Sequence, residues 1–232
     1  MAAAAPFVLV HGTLVGPSTW SPVADELRSR GHDVIVPHLT DAGRDEGCFW
    51  RRHASCVAEA AGEGDPVVVA GHSATGAILP AVVEALARPV VAVIFVDAQL
   101  PPPDGSSRAE VASERLRERL VDVLASDGTY PHWTDDDWQD DLPEPETRTL
   151  VFAELQPKPR RYFEEPLHVP ADWERLPGAY LLLSDAYAGA AERAQALGWP
   201  FRELGGGHFA IMRQPEAVAG ALVDLSRAAA AA

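Results

Sequence analysis

A chain of 232 residues, 47% apolar and 23% charged, has the length and composition of one ordinary globular domain with a substantial core. Its formal charge of −15 argues against a nucleic acid or an anionic membrane surface as partner, since either needs a basic patch, and no apolar run is long enough to span a bilayer. Two cysteines, Cys48 and Cys56, are too few for a disulfide scaffold and lack metal-ligand spacing. They read as ordinary thiols of a reducing compartment, and the opening "MAAAAPFVLVHG" has no positively charged leader segment, so a cytoplasmic location is the default expectation.

Along the chain, runs rich in valine and isoleucine at 7–10, 34–36, 67–70 and 90–96 alternate with amphipathic segments at 22–30, near 53–61 and at 74–87. Near-continuous apolar strands separated by helices predict a parallel sheet covered on both faces. From 101 to 177 the rhythm breaks. "PPPDGSS" leads into a helical stretch at 108–124 and then a region rich in proline, acid and aromatic residues, including the solvated acidic run "TDDDWQDD". An insertion of that length predicts a lid folded over the sheet. Strands at 179–183 and 201–204 and helices at 188–197 and 215–226 resume the alternation. The expectation is one domain, 1–232, built on a six-stranded, mostly parallel, doubly wound sheet with the lid inserted after the fourth strand.

Three motifs carry chemistry. In "VVVAGHSATG" a strand ends in a serine, Ser73, between small residues, and a helix begins at once. A serine on so tight a turn needs a strained backbone that small neighbours (Gly71, Ala74, Gly76) permit, and the turn lifts its hydroxyl above the sheet edge. Thr75 stands where a glycine is common in such elbows. In "VHGTLVG" the loop after the first strand presents backbone amides, and the Thr13 amide with that of Ala74 would form an oxyanion hole. His11 reads as a structural residue of that loop, and His72 as pointing away beneath the elbow. In "ELGGGHF" three glycines let the chain swing His208 over the sheet edge, where a neutral imidazole can take a serine proton.

With "HGTLVG", "GHSATG" and "GGGH" in this order, nearly the whole chain resembles the α/β-hydrolase fold family. Its nearest likeness is to compact bacterial esterases and the plant methylesterase and hydroxynitrile-lyase group, on Trp20, Gly31, His32 and Val34. The resemblance implies Ser73 as nucleophile, His208 as base and no cofactor or metal. It leaves the acid open between two aspartates. Asp185 in "LLSDAY" follows the strand that usually supplies it but sits about one residue early, while Asp97 in "VIFVDAQLP" ends the strand beside the elbow, as in some lipases. The balance leans to Asp97, and both stay in play.

The function expected is hydrolysis of a small, largely apolar ester or related acyl bond through an acyl-enzyme. The expected partner is that small-molecule substrate, with a homodimer as an open alternative. One rival reading is a lyase, cyclase or dehydratase of a biosynthetic pathway. Cyanohydrin cleavage is disfavoured, because Gly12 and Phe209 or its neighbours stand where such lyases carry threonine and lysine, and the single lysine is Lys158. The other rival is a ligand-binding protein without turnover, since fold alone does not fix reaction.

Overall fold

Six of the apolar runs are strands of one sheet in the computed structural model of the chain, which describes residues 5–40, 48–112, 114–125 and 128–232. In chain order the strands are β1 (Phe7–Val10), β2 (Val34–Ile35), β3 (Val67–Ser73), β4 (Val90–Ala98), the short β5 (Thr129–Tyr130) and β6 (Lys158–Pro159), β7 (Gly178–Leu182) and β8 (Phe201–Glu203). The main sheet runs β2-β1-β3-β4-β7-β8 with every pairing parallel. After β2 the chain crosses back over β1 and builds outward in the other direction. The loops leaving β1 and β3 therefore diverge to opposite sides, which opens a crevice at their C-terminal ends.

Both faces of the inner strands β1, β3, β4 and β7 are buried, which is why those strands read as near-continuous apolar runs. Val8, Val69, Phe95 and Tyr180 pack on one face with Val57, Val82 and Ala194 from helices α2 (Phe49–Ala61), α3 (Leu79–Ala85) and α7 (Ala188–Ala196). Their strand neighbours Leu9, Val68, Ile94 and Leu181 pack on the other with Leu27 of α1 (Ser21–Ser29) and Leu222 of α9 (Pro215–Ala230). Each such side chain contributes about 1.5–3 kcal/mol by leaving water.

Between β4 and β7 lie α4 (Glu114–Ala125), α5 (Pro145–Ala153) and α6 (Arg160–Glu164), with β5 and β6 paired antiparallel. Aromatic residues of this insertion dock on the sheet domain: Tyr162 and Phe163 against Phe49, and Trp138 against Val15 and Phe209. Polar contacts hold it to the loop after β1, where the Gln156 backbone N–H donates to the Leu14 carbonyl (2.9 Å) and the Glu154 carboxylate accepts from the Ser18 backbone N–H (2.9 Å).

Some boundaries differ from the sequence reading. Strand β3 runs on to Ser73, and the single helix expected at 74–87 is split into a 3₁₀ turn, Ala74–Ile78, followed by α3. Pro80 lies in the first turn of α3 and has no N–H to bond back into a preceding turn, so the α-helix starts beside it. Helix α2 begins earlier than expected, at Phe49, because the Glu165 carboxylate accepts from the Phe49 (2.6 Å) and Trp50 (3.0 Å) amides and caps its start. Among the described residues no helix is long and apolar enough to cross a membrane.

Candidate active site

Ser73 closes β3 with φ 62° and ψ −134°, the left-handed region that a side chain rarely occupies. Close packing forces this turn. A Cβ on Gly71 would lie 2.6 Å from the Leu79 side chain, and one on Gly76 would lie 2.0 Å from the Gln99 carbonyl oxygen. Thr75, buried, donates its hydroxyl to the His11 carbonyl (2.5 Å), so the departure from glycine at that position ties the elbow to the loop after β1.

That loop abuts the serine. A Cβ added to Gly12 would stand 3.3 Å from the Ser73 Cβ and 3.7 Å from its Oγ, and Thr13 and Ala74 line the same cavity as Ser73. His11 is structural: its Nδ1 donates to the Gly12 carbonyl (2.8 Å) and its Nε2 accepts from the Leu39 amide (3.1 Å). Burial pushes its pKa down to about 3, so the ring is neutral. The Thr13 hydroxyl shares a hydrogen bond with the Tyr162 hydroxyl of the insertion.

The carboxylate beside His208 is that of Asp97. In the β3–β4 register His72 faces Val96 and Ser73 faces Ala98, so Asp97 is an extra residue, bulged out of the ladder with φ 42°. A bulge re-aims its side chain. On the other side, Gly205, Gly206 and Gly207 all have positive φ (67°, 91° and 87°), the conformations that bring His208 over the sheet edge. His208 Nδ1 donates to Asp97 Oδ2 (2.7 Å), and its Nε2 lies 3.1 Å from Ser73 Oγ. Asp97 is fully buried and satisfied, accepting also from the Leu183 amide (2.9 Å), the Ser184 amide (2.8 Å) and the Ser184 hydroxyl (2.6 Å). Burial opposes its charge, but the hydrogen bond and attraction of His208, with the bonds from Ser184 and Leu183, outweigh it and hold the carboxyl below the usual range.

Asp185 does not join this group. Strand β7 ends at Leu182, and at Asp185 the chain has already turned into a short 3₁₀ helix, Asp185–Tyr187, with the carboxylate exposed to solvent. Ser184, one residue earlier, is the position that meets the site, and it does so as a donor to Asp97.

Two further residues belong to the site. His72 does not point away: it stacks on the His208 ring (centroids 4.3 Å apart, 28° between planes), and its Nε2 donates to the His208 carbonyl (3.0 Å). Burial, reinforced by the neighbouring His208, pushes its pKa down to about 3, so it supports the second imidazole as a neutral ring. Tyr187 stacks almost parallel on His208 (5.2 Å, 13°), and its hydroxyl lies 3.1 Å from Ser73 Oγ. Burial pushes its pKa up to about 12. In the sequence, Tyr187 is marked only by its place two residues after Asp185, past the end of β7.

Above these groups is a cavity of about 210 Å³, walled by Leu14, Val15, Tyr130, Trp133, Trp138 and Phe209. The walls are apolar, and the polar atoms converge at Ser73 and His208. Among the described residues, no three His, Cys, Asp or Glu side chains cluster as metal ligands would.

Comparison with known proteins agrees with this architecture. Residues 7–221 match the model of the alpha/beta hydrolase family. The carbendazim hydrolyzing esterase of Nocardioides sp. (strain SG-4G) is 32% identical over 104 residues, a match spanning 41% of this chain and 42% of the esterase. An extracellular alpha/beta-hydrolase from a Paenibacillus species superposes with a TM-score of 0.74 at 22% identity, covering 97% of this chain and all (100%) of that one. A pyrethroid hydrolase, PytH, superposes with a TM-score of 0.72 at 19% identity, covering 97% and 98% of the two chains. On the family match over most of its length, the chain belongs to the α/β-hydrolase family.

Proposed function

We propose that this protein hydrolyses a small ester through an acyl-enzyme formed on Ser73. The observation that carries the reading is the hydrogen-bonded series Asp97–His208–Ser73, at 2.7 and 3.1 Å, at the floor of an apolar cavity. Asp97 fixes the tautomer with the proton on Nδ1, which leaves Nε2 free to take the serine proton. Ser73 Oγ attacks the acyl carbon, and the amides of Thr13 and Ala74 hold the negative charge on the carbonyl oxygen. His208 then returns the proton to the departing alcohol, and water repeats the sequence to release the acid. Bulged Asp97 and strained Ser73 both cost backbone energy, as expected where geometry serves reaction rather than stability.

The aromatic walls favour a compact, largely apolar acyl or alcohol group, and a cavity of about 210 Å³ sets its size. Residues 101–177 act as a lid in this reading, since Tyr130, Trp133 and Trp138 from that segment close the cavity. Carbendazim and pyrethroid esters, named for the relatives above, belong in the first substrate panel beside short-chain p-nitrophenyl esters. Turnover of at least one of these by the wild type, lost in Ser73→Ala, supports the proposal. A wild-type protein that turned over none and did not react with a fluorophosphonate would refute it.

A further inference from the structure

The hydrogen bonds at Ser73 Oγ have a fixed direction. A serine hydroxyl has one proton to donate and two lone pairs. The His208 Nδ1 proton is engaged by Asp97 at 2.7 Å, so in the neutral ring Nε2 is an acceptor, and the Ser73 proton points to it across 3.1 Å. With that proton committed, the second contact, 3.1 Å to the Tyr187 hydroxyl, can only run from the phenol to the serine oxygen. Burial keeps the phenol protonated, its pKa pushed up to about 12.

Position gives this donor a role. The near-parallel stack of Tyr187 on His208 (5.2 Å, 13°) sets the phenol oxygen and Nε2 side by side at the same serine oxygen. Tyr187 follows β7, whereas Gly12 and Thr13 follow β1, on the opposite side of β3 in the sheet. The phenol therefore stands on the side of Ser73 away from the Thr13 loop and adjacent to the base. The oxygen that must collect a proton from Nε2 during acylation is that of the leaving alcohol.

We propose that Tyr187 is a catalytic residue of ester cleavage, donating a hydrogen bond to the leaving-group oxygen as it departs. The role rests on the hydrolase reading above. In the step, Ser73 Oγ forms a bond to the acyl carbon and its proton passes to His208 Nε2. As the bond from carbon to the alcohol oxygen breaks, its electron pair stays on that oxygen, and the proton moves there from Nε2. Tyr187 keeps its own proton throughout. It exchanges its resting partner, Ser73 Oγ, for the oxygen on which charge gathers.

The test compares p-nitrophenyl and ethyl esters of one short acid in the wild type and in Tyr187→Phe, which keeps the ring stacked on His208 and removes only the hydroxyl. A p-nitrophenolate leaves without needing a proton, whereas an ethoxide does not, so loss of the donor is selective. Both esters give the same acyl-enzyme, so kcat/KM isolates acylation, and the ratio of kcat/KM on the ethyl ester to kcat/KM on the p-nitrophenyl ester is expected to fall by roughly 10–100-fold. Stoichiometric fluorophosphonate labelling of Ser73 verifies that the site is intact, and Tyr187→Leu, measured alongside, serves if the phenylalanine variant fails to fold. An unchanged ratio in a variant that labels, whether both rates fall together or neither falls, would overturn the role. A wild type that cleaves neither ester would instead sink the hydrolase reading, and this role with it, before any variant is compared.

Discussion

His208 donates Nδ1–H to Asp97 across 2.7 Å, joining residues 111 positions apart in the chain. The same carboxylate holds the Leu183 and Ser184 amides through its other oxygen, so Asp97 both orients the imidazole and pins the end of β7.

Asp97→Asn is expected to lower kcat by up to roughly ten-thousand-fold, because the amide favours the wrong imidazole tautomer and removes the charge facing the imidazolium. Asp185→Asn changes an exposed residue and should leave kcat and stability close to wild type. Steady-state kinetics on one ester compares the two. A larger loss in Asp185→Asn would reverse the assignment of the acid.

That assignment shows where sequence legibility stops. The serine, the histidine and the loop after β1 were readable because each sits in a short local pattern whose small residues dictate the turn: Gly71 against Leu79, Gly76 against Gln99, and three positive-φ glycines before His208. The acid was not, because β4 and β7 are neighbours and both end in a candidate. Which of them meets His208 is set by a one-residue bulge at Asp97, and a bulge depends on register between strands rather than on local sequence. His72 and Tyr187 escaped for a similar reason. Their roles come from stacking on a ring delivered by a segment more than a hundred residues away (His72) or by the next strand's loop (Tyr187). The inner strands β1, β3, β4 and β7 were legible, since burial on both faces writes itself into continuous apolar runs, whereas the edge strand β8, with exposed Arg202 and Glu203, carries a weaker pattern.

Crowding at the elbow makes a second prediction. Gly76→Ala would drive a methyl group to 2.0 Å from the Gln99 carbonyl, whereas Gly189→Ala, in the first turn of α7, meets no atom within 4 Å. Overpacking against backbone costs about 1–3 kcal/mol, so Gly76→Ala should lower Tm by several degrees, roughly 2–4 °C per kcal/mol. Gly189→Ala should hold Tm or raise it slightly, alanine being the better helix former. Calorimetry of the pair checks this, and equal Tm values would contradict the tight elbow.

Two of the buried histidines, His11 and His72, predict acid sensitivity. His11 and His72 have pKa values near 3 in the fold against 6.5 for a free side chain, so each takes up a proton on unfolding at any pH between those values. Their contribution to stability is complete above pH 6.5 and declines as pH falls, by up to about 2 kcal/mol each at pH 5. Asp97, with its carboxyl held low, adds a further loss below the ordinary carboxylate range. Glu165, raised by burial against the pull of Arg108, acts in the opposite sense and offsets part of the fall. Urea midpoints should therefore drop between pH 7 and pH 5, and the drop should be smaller in His72→Gln, which cannot titrate. A midpoint independent of pH would contradict the neutral, buried histidines.

The most direct measurement of the central claim is active-site labelling with a fluorophosphonate, mapped by mass spectrometry and paired with turnover of a p-nitrophenyl ester. Ser73→Ala keeps a Cβ in the same strained backbone and should fold like the wild type. A single label on Ser73 is expected in the wild type, with no label and no turnover in Ser73→Ala. A wild type that resists the probe, a label on another residue, or a Ser73→Ala protein that keeps more than a small fraction of wild-type activity would contradict it.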